Sequence, residues 1–505
     1  MLKIIIQNTG SNIIVFASKL VITFIMTPVF VRNLGNYDYG IWEVIGSVLG
    51  YMGLLDIGIR PTSSRFAAFY KAKKDRESLI GVYSTALLFM FTISLTLFVI
   101  MVGCALWKPD ILAQQASEDT KYTFVIIVIA FQVLFVFPGG IAESYLEGFQ
   151  LYQVKNRIIL VNSILGSVLI YHLINESNAL FILALINTCG LSIKVCIFMY
   201  MLSRPGYGEI RFSYAAANIK SLIEILSFGV KSFIQGTAHT IANASNPVIL
   251  AYILNPAIII FYSIPANLIG RIITIRMLLA HAFMPLFSQY LAEDKVEEIK
   301  KWFLQGSKLI TGILLLINFG ALFLGLDFIR LWVGAPYAEG GKWILYLLCI
   351  TNIFVAVNPL FNMYLTGVGK HGYLAKINTI TAVFSIALSI ILTFQVGILG
   401  VVLGTLFPAV VSSIAILRFT CSNIGIPVGQ FLRNSVYTLL IPIIAFSFVM
   451  TLVKALLHIG GYIELITIAL IGIATYATCF IKYSLNSTEK SFLYERIPLV
   501  IKRDG

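Results

Sequence analysis

The stretch "YGIWEVIGSVLGYMGLLDIGIRPTSSRF", Tyr39 to Phe66, decides how the chain is read. It is long and apolar enough to cross a bilayer as a helix, yet it holds Glu43 and Asp56 and runs into Arg60 and Arg65. An ionisable group at the bilayer centre costs roughly 2.5–3.5 kcal/mol on insertion scales, so such groups face a cavity or a partner. A span that accepts them belongs to a protein with an interior to line.

The rest of the chain agrees. Of 505 residues, 58% are hydrophobic and only 12% charged, against about 25% charged in a soluble domain. Apolar runs recur at roughly 8–31, 40–59, 78–106, 122–147, 158–175, 179–201, 222–246, 257–287, 304–329, 343–366, 377–395, 398–417, 435–456 and 461–481, which predicts an all-α polytopic membrane protein of about fourteen crossings. The net charge of +13 is read through its distribution. With the N-terminus inside, the inner connections hold 24 Lys and Arg and the outer ones five, which predicts both termini in the cytoplasm and no role in binding nucleic acid. The start, "MLKIIIQNTGSNIIVFASKLVITF", lacks a small-residue cleavage site and reads as a retained first helix. Six cysteines form no CxxC pair, so neither a disulfide framework nor a metal site is expected. No GxxxxGK loop occurs, and the longest outer loop, "KPDILAQQASEDTK" (Lys108–Lys121), is small for a catalytic module. A membrane enzyme such as a glycosyltransferase or polymerase is disfavoured, and no cofactor is expected.

The chain also resembles itself. Gly10 matches Gly229, Pro28-Val29 matches Pro247-Val248, "YLEG" at Tyr145 matches "YLTG" at Tyr364, and Arg157-Ile158 meets Lys376-Ile377, all at an offset of 219. Helices 1–6 and 7–12 then form two six-helix bundles, residues 1–210 and 211–432, with two further helices and a tail in 433–505. Six crossings is an even number, so the halves insert alike and are expected to be related by a pseudo-two-fold along the membrane normal. Such a pair suits alternating access, hence a transporter.

Several charges sit deep in the spans. Lys19 lies mid-helix on a face shared with Asn12, Thr23 and Thr27; it lines a cavity or pairs with a carboxylate such as Glu43. Lys231, Gln235, His239 and Asn243 recur every four residues and read as a polar stripe lining a cavity. In "LIGRIITIRMLLAHAF" (Leu268–Phe283) the five-residue step from Arg271 to Arg276 puts them on different faces, so one is expected to face inward. Asp56 and Arg60 are spaced as a helical pair at the inner end of helix 2, either anchoring that terminus or forming a gate. Glu43, like His239 and Asp56, is a candidate for ion coupling. Lys194 is a weaker cavity candidate, and Glu143 and Glu147 read as structural. The loop "KAKKDRES" (Lys71–Ser78) reads as a solvated orienting cluster.

With these residues in view, "LGNYDYGIWEVIGSVLGYMGLLDIGI" (Leu34–Ile59) resembles the helix 1–2 region of bacterial polysaccharide exporters, with its Leu-Gly, Tyr-Gly and Leu-Asp-x-Gly in order. "YLEGFQLYQVKNRI", its counterpart "YLTGVGKHGYLAKI" and "MPLFSQYLAEDKVEEIKKW" are similar to that family's segments after helices 4, 10 and 8. The resemblance is to the Wzx-type flippases of O-antigen and other lipid-linked oligosaccharides, within the multidrug/oligosaccharidyl-lipid/polysaccharide (MOP) exporter superfamily. It implies a MATE-like fold in the bacterial cytoplasmic (inner) membrane and a polyprenyl-diphosphate-linked oligosaccharide as substrate, carried from the inner to the outer leaflet. Membrane lipids and the polysaccharide polymerase machinery are the implied partners. It further implies a cationic cavity of Lys19, Arg60 and Arg271 or Arg276, which Lys231 of the polar stripe is expected to join, and a lipid-tail role for 435–481; proton or sodium coupling, or uniport, is expected to drive transport. The rival is a cation-coupled multidrug exporter of the same superfamily, which would favour an acidic cavity.

Overall fold

A computed structural model describes residues 2–107, 120–281, 283–487, 489 and 490, the side chains at 2–6, 9, 120, 228, 230–239 and 243 excepted. The outer loop expected at Lys108–Lys121 falls, but for its last two residues, outside the described residues, as does the basic tail beyond Lys490. Every regular element among the described residues is helical: α1 Leu2–Met52, α2 Ile59–Lys73, α3 Arg76–Trp107, α4 Thr120–Gly148, α5 Tyr152–Leu173, α6 Ala179–Ser203, α7 Ile219–Ile253, α8 Ile259–His281, α9 Phe283–Ala292, α10 Val296–Trp332, α11 Ala335–Phe354, α12 Asn358–Gly367, α13 His371–Val396, α14 Leu399–Ile424, α15 Val428–Phe431, α16 Leu440–Leu456 and α17 Tyr462–Cys479, with short 3-10 and π turns between some of them.

Eleven segments among the described residues are long and apolar enough to cross a membrane, or twelve with α11 and α12 as one span bent by 43°. Two features connect that count to the fourteen expected. The 51-residue α1 is interrupted at Gly35 (φ 64°, ψ −178°), dividing the expected spans 8–31 and 40–59. The 35-residue α7 carries the side chains outside the described set and falls outside the count. Side chains such as Phe384 and Phe394 on α13 and Ile444 and Phe448 on α16 stay exposed on the protein, as a bilayer solvent allows. This is a multi-pass membrane protein.

The packing divides after Ile260 into two units. In the first, α4 packs between α3 and α6 and against α2. Its core is built from fully buried Met90, Phe137, Ile141, Tyr145 and Phe198. Helix α7 packs on α1, α2 and α3 of this unit, its first turn capped by the Asn218 side chain, which accepts from the Ser221 N–H at 2.8 Å. In the second unit Phe287, Phe303, Phe361, Phe431 and Tyr364 form one aromatic cluster.

The C-terminal helices are fastened along one face of α10. The Leu304 carbonyl accepts from Ser435, Lys308 Nζ reaches Glu489 at 2.6 Å and the Ser484 carbonyl at 3.0 Å, and the Gly312 carbonyl accepts from Tyr476. Farther along, Asp327 pairs with Lys454, and the Leu331 carbonyl accepts from Tyr462. Anchors at 304, 308, 312, 327 and 331 lie four residues apart within each group, the spacing of one helix face.

Two turns 219 residues apart share one backbone pattern. After α4, Phe149 N–H donates to the Tyr145 carbonyl, Gln150 to Glu147 and Leu151 to Leu146, at 2.9, 2.9 and 2.8 Å. After α12, Val368 donates to Tyr364, Gly369 to Thr366 and Lys370 to Leu365, at 2.9, 3.1 and 2.7 Å. Each bond has its counterpart 219 residues on, and the left-handed residues Gln150 (φ 61°) and Gly369 (φ 75°) correspond too. Both are C-terminal caps in which a left-handed residue lets the next N–H reach back five residues. The following helices start at Tyr152 and His371, again 219 apart.

Candidate functional site

The Leu-Asp-x-Gly motif is a break rather than a helix end. After α1 comes a 3-10 turn, Gly53–Asp56, then two left-handed residues, Ile57 (φ 47°) and Gly58 (φ 73°), before α2 begins. Gly58 lies against the backbone of α7: a Cβ there would stand 2.3 Å from the Gly229 carbonyl oxygen. Both the φ and the contact call for glycine. The expectation that Asp56 and Arg60 pair within one helix is therefore corrected. They pair across the break, Arg60 Nε to Asp56 Oδ1 at 3.6 Å, because the turn brings the two helical segments' ends together.

Helix α4 supplies the other wall of Arg60. Its Nη2 donates to the Val136 carbonyl at 3.3 Å, while a Cβ on Gly140 would lie 2.2 Å from Nε. The guanidinium thus rests in the space glycine leaves open. Arg60 Nε and Asp56 Oδ1 are buried, and neither makes a hydrogen bond. The preceding residue, Gly139, admits Val195 of α6 to the other side of the helix, a Cβ lying 2.3 Å from Val195 Cγ2.

Lys194, next to Val195 on α6, is half-buried. Lys155, 8% exposed, sits between Glu147 at 2.7 Å and Glu143 at 3.6 Å. Its neighbour Asn156 donates to Ser11 Oγ at 2.8 Å and Asn12 Oδ1 at 2.7 Å, tying α5 to the face of α1 that carries Lys19. A cavity of about 440 Å3 opens beside this link, lined by Gln7, Gly10, Ser11, Gln153, Asn156 and Arg157 among others. Within the first unit, Arg60 is thus paired with Asp56, and Lys155 with Glu143 and Glu147.

The remaining candidates are distributed as follows. Lys19 is exposed on α1; Thr23 and Thr27 of its expected face donate their hydroxyls to the carbonyls of Lys19 and Thr23. Glu43 is half-buried in the second arm of α1, where its carbonyl accepts from Ser47. Lys231, Gln235, His239 and Asn243 all fall on α7, but their side chains lie outside the described residues. Arg271 and Arg276 lie on α8, largely in the second unit, both half-buried.

Two features escaped the sequence reading. Lys155 counted there as an inner-loop cation, yet it is buried in the first turn of α5. Gly139-Gly140 passed as part of an apolar run; a glycine pair after Pro138 inside a span was the available sign of close approach.

The pattern of one family, that of the polysaccharide biosynthesis protein, matches residues 5–291. The chain belongs to this family. Among curated relatives, the putative O-antigen transporter of Shigella flexneri is 21% identical over 409 residues, covering 78% of this chain and 93% of the relative. Among solved structures, the lipid II flippase MurJ in an inward closed conformation superposes with a TM-score of 0.69 at 15% identity, over 98% of this chain and 100% of that one. An inward-facing multidrug resistance MATE transporter of the MOP superfamily gives 0.68 at 14% identity, over 80% and 94%. At these identities the likeness shows the fold, which is that of MOP-superfamily transporters. The family match spans α1 to α9, and so includes the break at Gly58 and Lys19, Arg60, Lys155 and Lys194.

Proposed function

We propose that this family member is a flippase that turns polyprenyl-diphosphate-linked oligosaccharide repeat units from the inner to the outer leaflet of the bacterial cytoplasmic membrane, by alternating access, for O-antigen or a related surface polysaccharide. The observation that carries the reading is Arg60 within an otherwise apolar bundle. A diphosphate cannot enter hydrocarbon without replacing its hydration. Arg60 brings a permanent charge on a fork suited to phosphate oxygens, and Lys19 and Lys194 are further cations in the first unit's spans.

In this reading Lys19, Arg60, Lys231 and Arg271 or Arg276 hold the diphosphate. Gln235, His239 and Asn243 bond sugar hydroxyls. Asp56 shields Arg60 between cycles, and Glu43 or Asp56 carries a proton or sodium ion if transport is coupled. The two repeats, 1–210 and 211–432, supply the moving halves, with 433–505 appended near the lipid tail and both termini in the cytoplasm. The polymerase machinery takes the product outside. A multidrug exporter of organic cations would need a surplus of negative charge, whereas the first unit holds more cations than acids.

The test is to deplete the protein and analyse lipid extracts by mass spectrometry. Accumulation of one polyprenyl-diphosphate oligosaccharide, cleared on restoring the protein, supports the reading and names the substrate. Unchanged lipids with new sensitivity to cationic dyes would transfer support to the exporter.

A further inference from the structure

Between α13 and α14 the second unit has a groove whose two ends are built differently. At one end the helices meet backbone to backbone: a Cβ on Gly400 would lie 2.2 Å from the Thr393 nitrogen, and one on Gly404 2.4 Å from the Ser389 nitrogen. Ser389, fully buried, ties the same crossing by donating its hydroxyl to the Val401 carbonyl at 3.2 Å. Past Gly404 the facing residues are large, and a cavity of about 300 Å3 opens, lined by Ile380, Phe384 and Leu388 of α13 and Phe407, Val411 and Ala415 of α14 among others. At its far end Tyr373 closes the gap again. Its ring stacks on Phe419 with centroids 3.6 Å apart, and its hydroxyl donates to the Ala415 carbonyl at 3.4 Å.

The lining offers nothing polar to a ligand. Its two hydroxyls, on Thr381 and Ser412, are donated to the Ile377 and Ala409 carbonyls of their own helices at 2.8 and 3.0 Å. Phe384, Phe407 and Val411 are exposed, so the groove opens on the protein's surface. Two cations stand at the Tyr373 end. Lys376 lies four residues before Ile380 and Arg418 three after Ala415, so each continues the lining face of its helix by one turn. Both are exposed, and neither is paired with an acid among the described residues. In the orientation proposed above this is the cytoplasmic end. The residue 219 positions before Lys376 is Arg157, which lines the cavity of the first unit.

We infer that this groove is a binding site for an anionic glycerophospholipid of the inner leaflet, with one acyl chain between α13 and α14 and the phosphate held by Lys376 and Arg418. The site is apolar along its length and doubly cationic at one end, the order of hydrocarbon and charge in such a lipid standing in its leaflet. Basic side chains at the cytoplasmic ends of membrane helices attract anionic head groups, and the Arg418 fork suits phosphate oxygens. A zwitterionic lipid brings its own ammonium to the two cations and loses most of that attraction. A free phosphate ester has no chain for the apolar lining to take from water. The site uses none of the residues assigned to the diphosphate and does not depend on the flippase reading.

The test is native mass spectrometry of the full, delipidated chain, titrated with dioleoyl phosphatidylglycerol and with dioleoyl phosphatidylcholine, and with glycerol phosphate as the free head group. The first phosphatidylglycerol is expected to bind more tightly than the first phosphatidylcholine, and glycerol phosphate should not displace it. Lys376→Gln and Arg418→Gln should each weaken phosphatidylglycerol roughly fivefold, the order expected for one Lys or Arg at an anionic lipid surface, and leave phosphatidylcholine unchanged. Thr381→Phe, which fills the groove, should weaken both lipids alike. Equal binding of the two lipids by the parent would overturn the inference, as would a preference that survives both charge changes. Displacement by glycerol phosphate would overturn the lipid as occupant.

Discussion

The guanidinium of Arg60 occupies the space that Gly140 leaves vacant, a Cβ on that glycine lying 2.2 Å from Arg60 Nε. Two helices thereby fix a cation within an apolar bundle, and the smallest residue on one positions the largest on the other. Because the clash is with the end of a flexible side chain, Gly140→Ala should displace the guanidinium without unfolding the bundle. Lipid-linked oligosaccharide transport should fall roughly tenfold, the scale of a binding group misplaced by about 1 Å or less. Equal surface polysaccharide in the parent and Gly140→Ala, at matched expression, would contradict the placement.

Gly58 should be far less tolerant. Its positive φ and the Gly229 carbonyl 2.3 Å from the Cβ position involve backbone on both sides, which cannot turn aside. Gly58→Ala is expected to reduce folded protein in the membrane several-fold, read by detergent-extracted monodisperse yield. A normal yield would show that the break relaxes freely.

Lys308, 3% exposed, is held by Glu489 and the Ser484 carbonyl. Removing only the acid leaves a buried cation, an effect of about 3–5 kcal/mol when a buried pair loses one member. Glu489→Gln should therefore lower the thermal unfolding midpoint more than the double change Lys308→Met with Glu489→Leu. The opposite order would show that the pair itself, rather than the orphaned charge, matters.

At the start of α3, Asp75 accepts from the Ser78 N–H at 3.0 Å, and hydrogen bonds from Ser78 hold its carboxyl below the usual range. The folded pKa is depressed, so its contribution is present above the unfolded value and is lost as pH falls through the folded one. Corrected for the intrinsic pH dependence of exchange, protection of the Ser78 amide should fall on acidification through that window in the parent and stay unchanged in Asp75→Asn.

The sequence carried the broad outline because its signals are long-range averages. Apolar runs mark spans wherever they fall, and the offset of 219 survived because equivalent turns need equivalent residues, as Tyr145 and Tyr364 show. What it hid is local backbone geometry. The apolar pattern from Tyr39 to Phe66 continues through Ile57 and Gly58, so nothing in periodicity marks the left-handed break that sets Asp56 and Arg60 on different segments. Lys155 was hidden for a related reason: a cation near a span's inner end looks solvated until the preceding turn folds Glu147 back to within 2.7 Å of it. The Gly139-Gly140 pair was visible, but which neighbours fill its two sides depends on α2 and α6, far away in sequence.

The central claim is that basic side chains inside the bundle carry a diphosphate. It is tested most directly by purifying the chain, reconstituting it in vesicles and following the transfer of a polyprenyl-diphosphate oligosaccharide between leaflets. Arg60→Ala and Lys19→Ala should each cut transfer at least tenfold, and a polyprenyl-linked neutral analogue should not be carried. Transfer at the parent's rate by both variants, or equal transport of the neutral analogue, would contradict the account.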